Sequence, residues 1–169
     1  MKQHEESLAA IRQILNSDAN TESKLTQIVS MVNSNYPKCI WVGFYFMNHE
    51  TQMLHLGPYI GTTTEHTIIP FGKGICGQVA VSGETYVADN VQEESNYIAC
   101  SLGVQAEIVV PIYDKEVLVA QLDIDSNTLS AFTDVDRMFL EEVCREIGNT
   151  IGNEMHLPSF VAQERSNSV

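Results

Sequence analysis

The four cysteines are the strongest nucleophiles in this chain: Cys39, Cys76, Cys100 and Cys144. They form no CxxC pair and have no histidine at metal-ligand spacing, so the pattern predicts no metal site and in particular no structural zinc. Cys76 begins a short predicted helix, where unpaired N–H groups and the helix dipole favour a thiolate. Cys100 lies in a predicted long loop, a common location for reactive groups. Cys39 begins a strand and Cys144 lies within the last helix, positions typical of packed, unreactive thiols.

The residues around Cys76 and Cys100 leave both chemistry and inert packing open. Between Lys73 and Lys115 the chain contains several Asp and Glu residues but no Lys or Arg. An acidic environment of this kind disfavours a thiolate. Activation of either thiol therefore depends on groups that are distant in the sequence.

Three acidic residues are predicted to share one end of a sheet. The two-residue period of a strand over 119–126 places Asp123 and Asp125 on one face. A hairpin turn centred on Lys115 brings Glu107 opposite Asp123. A solvated strand edge is the simpler interpretation. The alternative is a site that binds an ammonium group and keeps one carboxyl protonated, because close like charges cannot all ionise.

A glycine motif, Gly72-x-Gly74-x-x-Gly77, matches the dinucleotide-binding pattern in form only. That fingerprint requires a parallel strand-helix-strand unit and an acidic residue about 20 positions further on. Here the helix is short, Pro70 precedes the glycines, and the surrounding strands form hairpins. A tight turn from strand to helix is the favoured interpretation.

Composition narrows the classes of function. The chain has 169 residues, of which 44% are apolar and 18% charged, so it suits one domain with a sizeable core. A net charge of −13 argues against binding to nucleic acid or to an anionic membrane surface. The sequence shows neither an export signal nor a long apolar run, so a cytoplasmic location is expected.

Spacing of apolar residues and turn signals predicts the elements that position these groups. They are helices around 8–15 and 25–32, a hairpin of strands over 39–46 and 53–59, a β-branched run over 62–70, a short helix that ends at Gly83, a strand over 84–89, a loop over 90–105, a hairpin of strands over 107–113 and 117–125, and a helix that Thr133 caps, with an apolar stripe of Val135, Phe139, Val143, Ile147 and Ile151. This order predicts an α+β antiparallel sheet with helices on one face and a loop-rich ligand face opposite.

Seven motifs in order resemble the free methionine-R-sulfoxide reductases, a family of single GAF domains. They are WVGFY (41–45), LGPYIG (56–61), IPFGKGICG (69–77), ADNV (88–91), YIACS (97–101), EIVVPI (107–112) and LDIDS (122–126) with FTDVD (132–136). The resemblance runs from about residue 24 to residue 151. It implies a GAF-like α/β sandwich, with a sheet of about six strands, terminal helices on one face and a loop-enclosed pocket on the other.

The expected organisation is one domain over residues 1–156, with N-terminal helices over 1–35, the sheet and site loops over 36–131 and a C-terminal helix over 132–156. Residues 157–169 are expected to form a flexible tail. The resemblance further implies a homodimer with no bound cofactor, and thioredoxin as the external reductant.

The resemblance assigns roles to specific residues. Family members reduce free L-methionine (R)-S-oxide with a nucleophilic cysteine, which corresponds to Cys100 in YIAC. A second cysteine, here Cys76, forms a disulfide with the resulting sulfenic acid. The carboxylates that hold the sulfoxide oxygen and the amino group correspond to Glu107, Asp123 and Asp125.

Two aromatic residues, Trp41 and Tyr45, correspond to the walls of the substrate's methyl pocket, although ordinary core packing explains them equally well. One position departs from the family pattern. Many members carry a third cysteine ten residues before the one at Cys76, and this chain has His66 there. Cys76 is then the remaining resolving residue. If it does not reach Cys100, turnover requires a small-molecule thiol or stops at the sulfenic acid.

Two other functions remain compatible with the sequence. GAF folds host many ligands, so the chain could bind a small molecule without turnover. A thiol-based redox switch would use the same two cysteines and would have no need of the three carboxylates.

Overall fold

Six antiparallel strands form the centre of the structure, a computed structural model that describes residues 2–97 and 103–163. The helices are α1 (Lys2–Leu15), α2 (Thr21–Asn35), α3 (Gly74–Ser82) and α4 (Asp134–Ile151), and the strands are β1 (Cys39–Asn48), β2 (Met53–Gly61), β3 (Ile68–Pro70), β4 (Tyr86–Ala88), β5 (Ala106–Asp114) and β6 (Val117–Ser126). The strand order is β3-β2-β1-β6-β5-β4. The predicted fold class, α+β with an antiparallel sheet, is confirmed.

One face of the sheet packs against α1, α2 and α4. Alternate strand residues point to this face because the side-chain period of a strand is two. The residues buried there include Val42, Phe44, Ile108, Val110, Leu122 and Ile124 from the strands and Leu25, Ile28, Leu140, Val143 and Ile147 from the helices. Of the helices that the structure describes, none has both the length and the apolar character required to cross a membrane.

The opposite face carries α3 and a second apolar cluster. The glycine motif forms the tight turn that leads into α3. The Gly72 N–H donates to the Gly77 carbonyl at 2.8 Å, and both Gly72 and Gly74 have positive φ. Gly83 ends α3 in the left-handed conformation. Because the sheet is antiparallel throughout, this motif does not belong to a dinucleotide-binding unit.

The pairing of β5 with β6 differs from the predicted register. The sequence places Glu107 opposite Asp123, but in the structure Glu107 pairs with Asp125. Two features cause the difference: the turn has two residues rather than three, and a bulge between Ile112 and Tyr113 shifts the register once more. Since the total shift is two residues, all three acids stay on the predicted face.

Helix α4 begins as predicted and buries four of the five residues in the predicted stripe, Phe139, Val143, Ile147 and Ile151. Thr133 and Asp136 form a reciprocal capping box. Tyr36 donates a hydrogen bond to the Asp136 carboxylate at 3.3 Å, so Asp136 lies on the inner side of the first turn. Val135, predicted to be in the apolar stripe, is 52% exposed, and the buried face begins at Phe139.

Residues 157–163 pack on the domain, whereas the sequence predicts a flexible tail from residue 157. Val161 is buried in the core on the helix side of the sheet. The Ala162 N–H donates to the Leu56 carbonyl at 2.8 Å, and Nδ1 of His55 lies 2.7 Å from the Ala162 carbonyl. Isolated apolar residues without a helical or strand period do not reveal such packing in a sequence.

Candidate functional site

Three carboxyl groups meet beneath α3, on the face of the sheet opposite the long helices. Asp123 and Asp125 alternate along β6, and Glu107 lies on β5 directly opposite Asp125. Glu107 is 2% exposed, Asp123 0% and Asp125 1%. A solvated strand edge is therefore the wrong interpretation, because water does not reach these groups in this conformation.

Burial changes the protonation of the three acids. Burial and the charges of Asp123 and Asp125 raise the pKa of Glu107 well above its usual range. Burial also raises the pKa of Asp123, to about 6, while hydrogen bonds from Glu107 and Cys76 oppose the rise. Burial and then Asp123 raise the pKa of Asp125. The hydrogen bond between Glu107 and Asp123 thus has Glu107 as the protonated donor and Asp123 as the acceptor.

The thiol of Cys76 borders this group of acids. Cys76 is the third residue of α3 and is 3% exposed, and its Sγ lies 3.9 Å from Oε1 of Glu107. The Sγ and one carboxylate oxygen from each of Glu107 and Asp123 lie within 4.8 Å of one another. The helix start predicted for Cys76 is present, and the groups in contact with the thiol include the carboxyls of Glu107 and Asp123.

Aromatic rings form one side of the site. Trp41 and Tyr45 are fully buried on β1, and their rings stack at 6.0 Å. Trp41 also stacks on Tyr59 at 5.4 Å. The indole passes over Gly43, where an added Cβ would lie 2.4 Å from the ring, and Gly43 pairs with Asp123. The glycine of the WVGFY motif therefore lets the indole lie flat beside the acids.

Gln121 is a site residue that the sequence analysis missed. It continues the alternation of Asp123 and Asp125 along β6 and lies opposite Tyr45 on β1. Its side chain is fully buried, and neither its amide oxygen nor its amide nitrogen has a hydrogen-bond partner among the described residues. The same two-residue period that identified the aspartates would have identified it. A buried amide of this kind is available to a ligand.

Cys100 lies outside the described residues, so the structure gives no distance from it to Cys76. The chain before it is held at the start of α3 by Asn96. The Gly74 N–H donates to Oδ1 of Asn96 at 3.0 Å, and Nδ2 of Asn96 donates to the Gly72 carbonyl at 2.6 Å. Asn96 precedes Cys100 by four residues, and Gly74 precedes Cys76 by two.

The other two cysteines lie apart from this thiol. Cys39 is half-buried at the start of β1, and burial together with Asp125 and Asp136 raises its pKa to about 12. Cys144 is buried in α4, where burial and Glu141 raise its pKa further still. Both thiols are therefore held in the protonated, unreactive form.

His66 stands where many family members have a third cysteine, and its backbone makes hydrogen bonds near the site. Its backbone carbonyl accepts a hydrogen bond from the Tyr45 hydroxyl at 2.9 Å. Its own N–H donates to the hydroxyl of buried Thr64 at 3.1 Å. Through its backbone, His66 thus helps to fix the phenol of Tyr45.

Comparison with known proteins relates the chain to both enzymes and proteins without an assigned activity. The family model described as GAF domain matches residues 25–152. Protein YtsP of Bacillus subtilis is 34% identical over 131 residues, which cover 74% of this chain and 80% of that protein. The free methionine-R-sulfoxide reductase of Escherichia coli is 30% identical over 144 residues, covering 85% and 81%.

The solved structures that superpose on this chain likewise include both a reductase and a putative sensor protein. The free methionine-R-sulfoxide reductase of Neisseria meningitidis, in complex with its substrate, superposes with a TM-score of 0.83 at 30% identity, covering 88% of each chain. A putative GAF sensor protein of Burkholderia vietnamiensis superposes with a TM-score of 0.84 at 26% identity, covering 91% of this chain and 96% of that one.

Proposed function

Because this chain belongs to the GAF domain family and is related at about 30% identity to free methionine-R-sulfoxide reductases, we propose that it reduces free L-methionine (R)-S-oxide to L-methionine. The observation that carries the proposal is the meeting of one thiol with three buried carboxyl groups, at least one of which is protonated. Reduction of a sulfoxide needs both a sulfur nucleophile and a proton donor.

In the first step, the thiolate of Cys100 attacks the sulfoxide sulfur. The oxygen is protonated and passes to the cysteine sulfur, so that methionine leaves and Cys100 becomes a sulfenic acid. The substrate sulfur gains two electrons and the cysteine sulfur loses two. Glu107, which is protonated and hydrogen-bonded to Asp123, is the proposed proton donor to the oxygen.

The acids also account for recognition of the free amino acid. Asp123, with a pKa near 6, is ionised at neutral pH and can hold the substrate ammonium group. Asp125 lies beside it, and both of its oxygens lack a hydrogen-bond partner among the described residues. Trp41 and Tyr45 supply apolar surface for the S-methyl group, as in the pocket that the resemblance implies.

In the second step, the Cys76 thiol attacks the Cys100 sulfenic acid, which forms a disulfide and releases water. Thioredoxin then reduces the disulfide to two thiols. The hydrogen bonds of Asn96 support this pairing, because they join the chain that leads to Cys100 to the turn that precedes Cys76.

The test is NADPH consumption coupled to thioredoxin, with the purified R and S epimers of free methionine sulfoxide as substrates. We expect activity on the R epimer in wild type and in Cys144→Ser, and none in Cys100→Ser. Cys76→Ser should complete a single turnover and accumulate a sulfenic acid that a dimedone probe traps. Activity that survives Cys100→Ser would contradict the mechanism, whereas full steady-state turnover in Cys76→Ser would contradict only its resolving role.

A second candidate function is binding of a small molecule without turnover. It is favoured by the similarity to the putative GAF sensor protein and by the closure of the site, whose three acids are at most 2% exposed. Calorimetry separates the two functions. A sensor would bind its ligand in wild type without producing methionine, whereas a reductase would convert the R epimer and would retain binding without conversion in Cys100→Ser.

A further inference from the structure

We propose that Cys76, Glu107 and Asp123 form a binding site for one divalent transition-metal ion of the zinc class. The three side chains come from α3, β5 and β6, and their ligand atoms lie within 4.8 Å of one another. Because the three residues are far apart in the sequence, no ligand spacing of the kind found in zinc motifs is visible there.

The donor atoms suit zinc. Zinc binds thiolate sulfur at about 2.3 Å and carboxylate oxygen at about 2.1 Å, and a tetrahedral arrangement then sets the sulfur and oxygen about 3.6 Å apart. The Sγ of Cys76 lies 3.9 Å from Oε1 of Glu107. This pair is therefore within a few tenths of an ångström of the required separation, and a ligand oxygen of Asp123 lies within 4.8 Å of both atoms, so side-chain rotation has to bring that oxygen closer.

Two further buried groups on β6 point to a ligand at this place. Asp125 lies opposite Glu107, is buried, and has no hydrogen-bond partner for either carboxylate oxygen among the described residues. Gln121, on the other side of Asp123 along the same face of β6, likewise has both amide atoms unpartnered within the described chain. Buried polar groups without partners are rare in proteins, and a bound ion with its water would satisfy them.

The coordination has a defined open position. Three protein ligands leave the fourth corner of a tetrahedron for water or another small ligand, as in catalytic rather than structural zinc sites. We assign to Asp125, which pairs with Glu107 across the strands, the role of accepting a hydrogen bond from that water. Mixed thiolate and carboxylate donors favour Zn²⁺, or Co²⁺ as its substitute, over the oxygen-preferring Mg²⁺ and Ca²⁺.

The test uses Co²⁺ as a spectroscopic probe of the whole chain, under anaerobic conditions with all thiols reduced. We expect one equivalent of Co²⁺ to bind, with a thiolate-to-cobalt charge-transfer band and the intense visible bands of four-coordinate cobalt. Zn²⁺ should displace the Co²⁺ and abolish both features. Mg²⁺ at a tenfold excess should leave them unchanged.

Variants locate the ion. Cys76→Ser should lose the charge-transfer band, while Cys39→Ser, its half-buried thiol control, should keep it. Glu107→Gln should bind Zn²⁺ at least tenfold more weakly by calorimetry, and Asp18→Asn, an exposed carboxylate control, should bind as wild type does. A charge-transfer band that persists in Cys76→Ser, or unchanged affinity in Glu107→Gln with native circular dichroism, would overturn the site.

A consequence for turnover follows, and only this consequence rests on the proposed function. Bound zinc occupies the resolving thiol and two of the carboxylates, so it should inhibit reduction of methionine sulfoxide, and a chelator should restore activity. If the metal-free protein shows no reductase activity, the proposed function fails while the cobalt and zinc titrations still decide the metal site.

Discussion

Asp125 makes the stability of the fold depend on pH. Its carboxyl group is buried, and its pKa is raised well above the ordinary value near 3.8. Below about pH 3 the group is protonated in both the folded and the unfolded chain. As the pH rises further, the unfolded chain releases this proton while the folded chain retains it, so the free energy of unfolding falls until the folded pKa is passed.

The neutral variant Asp125→Asn should remove this loss. We expect its free energy of unfolding to match wild type at about pH 3 and to exceed it by about 1 to 3 kcal/mol at pH 8. Urea unfolding at the two pH values measures the difference, with the exposed Asp18→Asn as the control that shows none. A stability difference that does not depend on pH would contradict the burial of an ionisable group at this position.

Single residues also show which parts of the site a sequence can reveal. The two-residue period places Asp123 and Asp125 on one face, and it would have placed Gln121 there as well. The contact between Cys76 and Glu107 is different in kind, because it depends on how α3 lies over the sheet. Only packing of the whole domain fixes that distance. The sequence therefore suggests the reactive thiol and the carboxyl cluster as two separate features, and the structure shows that they are in contact.

Among the elements, α4 depends on its N-terminal cap. The side chain of Thr133 accepts a hydrogen bond from the Asp136 N–H at 3.2 Å, and the Asp136 carboxylate accepts one from the Thr133 N–H at 2.9 Å. Thr133→Ala should lower the free energy of unfolding by about 1 kcal/mol, because it removes one partner from this box. Chemical denaturation measures this loss, with Thr26→Ala as the exposed mid-helix control. Equal stabilities of the two variants would contradict the role of the cap.

The contact between α4 and β5 is close enough to require glycine. A Cβ added at Gly148 would lie 2.1 Å from the Tyr113 carbonyl oxygen, which belongs to backbone and cannot rotate away. Alanine has a helix propensity about 1 kcal/mol better than glycine, but overpacking costs about 1 to 3 kcal/mol or more. The clash outweighs the propensity, so Gly148→Ala should be destabilising.

Thermal unfolding of Gly148→Ala tests this contact. The exposed neighbour Asn149 provides the control, because Asn149→Ala on the same helix should be neutral or slightly stabilising. A gain in stability for Gly148→Ala would show that α4 lies farther from β5 than the structure places it.

Element order was predictable, and strand register was not. Turn residues, caps and apolar spacing predict the helices and hairpins, including the Thr133 cap and the end of α3 at Gly83. The bulge between Ile112 and Tyr113 follows Pro111, and a proline within a strand is typical of edges and bulges, but the proline alone does not determine the register. A register error of two residues left the face of every acid correct, which is why the carboxylate cluster was predicted despite it.

At the scale of the whole molecule, residues 157–163 link the two sides of the sheet. Val161 is buried in the cluster on the helix side, whereas the next residue, Ala162, packs against the cluster on the site side. Phe160 lies edge-on to Phe46 at 5.8 Å. The segment therefore closes the β2 side of the domain, where the two clusters would otherwise meet solvent.

Val161→Ala tests whether this segment is part of the cooperative fold. Val161 is 3% exposed, and loss of its two buried methyl groups should lower the free energy of unfolding by about 1 to 3 kcal/mol. The matched control is Val81→Ala in α3, where the valine is 70% exposed and the same change should stay within about 0.5 kcal/mol.

Ala162→Pro separates packing from backbone pairing in the same segment. Proline removes the N–H that donates to the Leu56 carbonyl, so this variant should also destabilise the domain. Hydrogen exchange at residues near His55, whose Nδ1 contacts the Ala162 carbonyl, should then rise in both variants. If Val161→Ala and Ala162→Pro unfold at the same urea concentration as wild type, residues 157–163 contribute nothing to the stability of the domain.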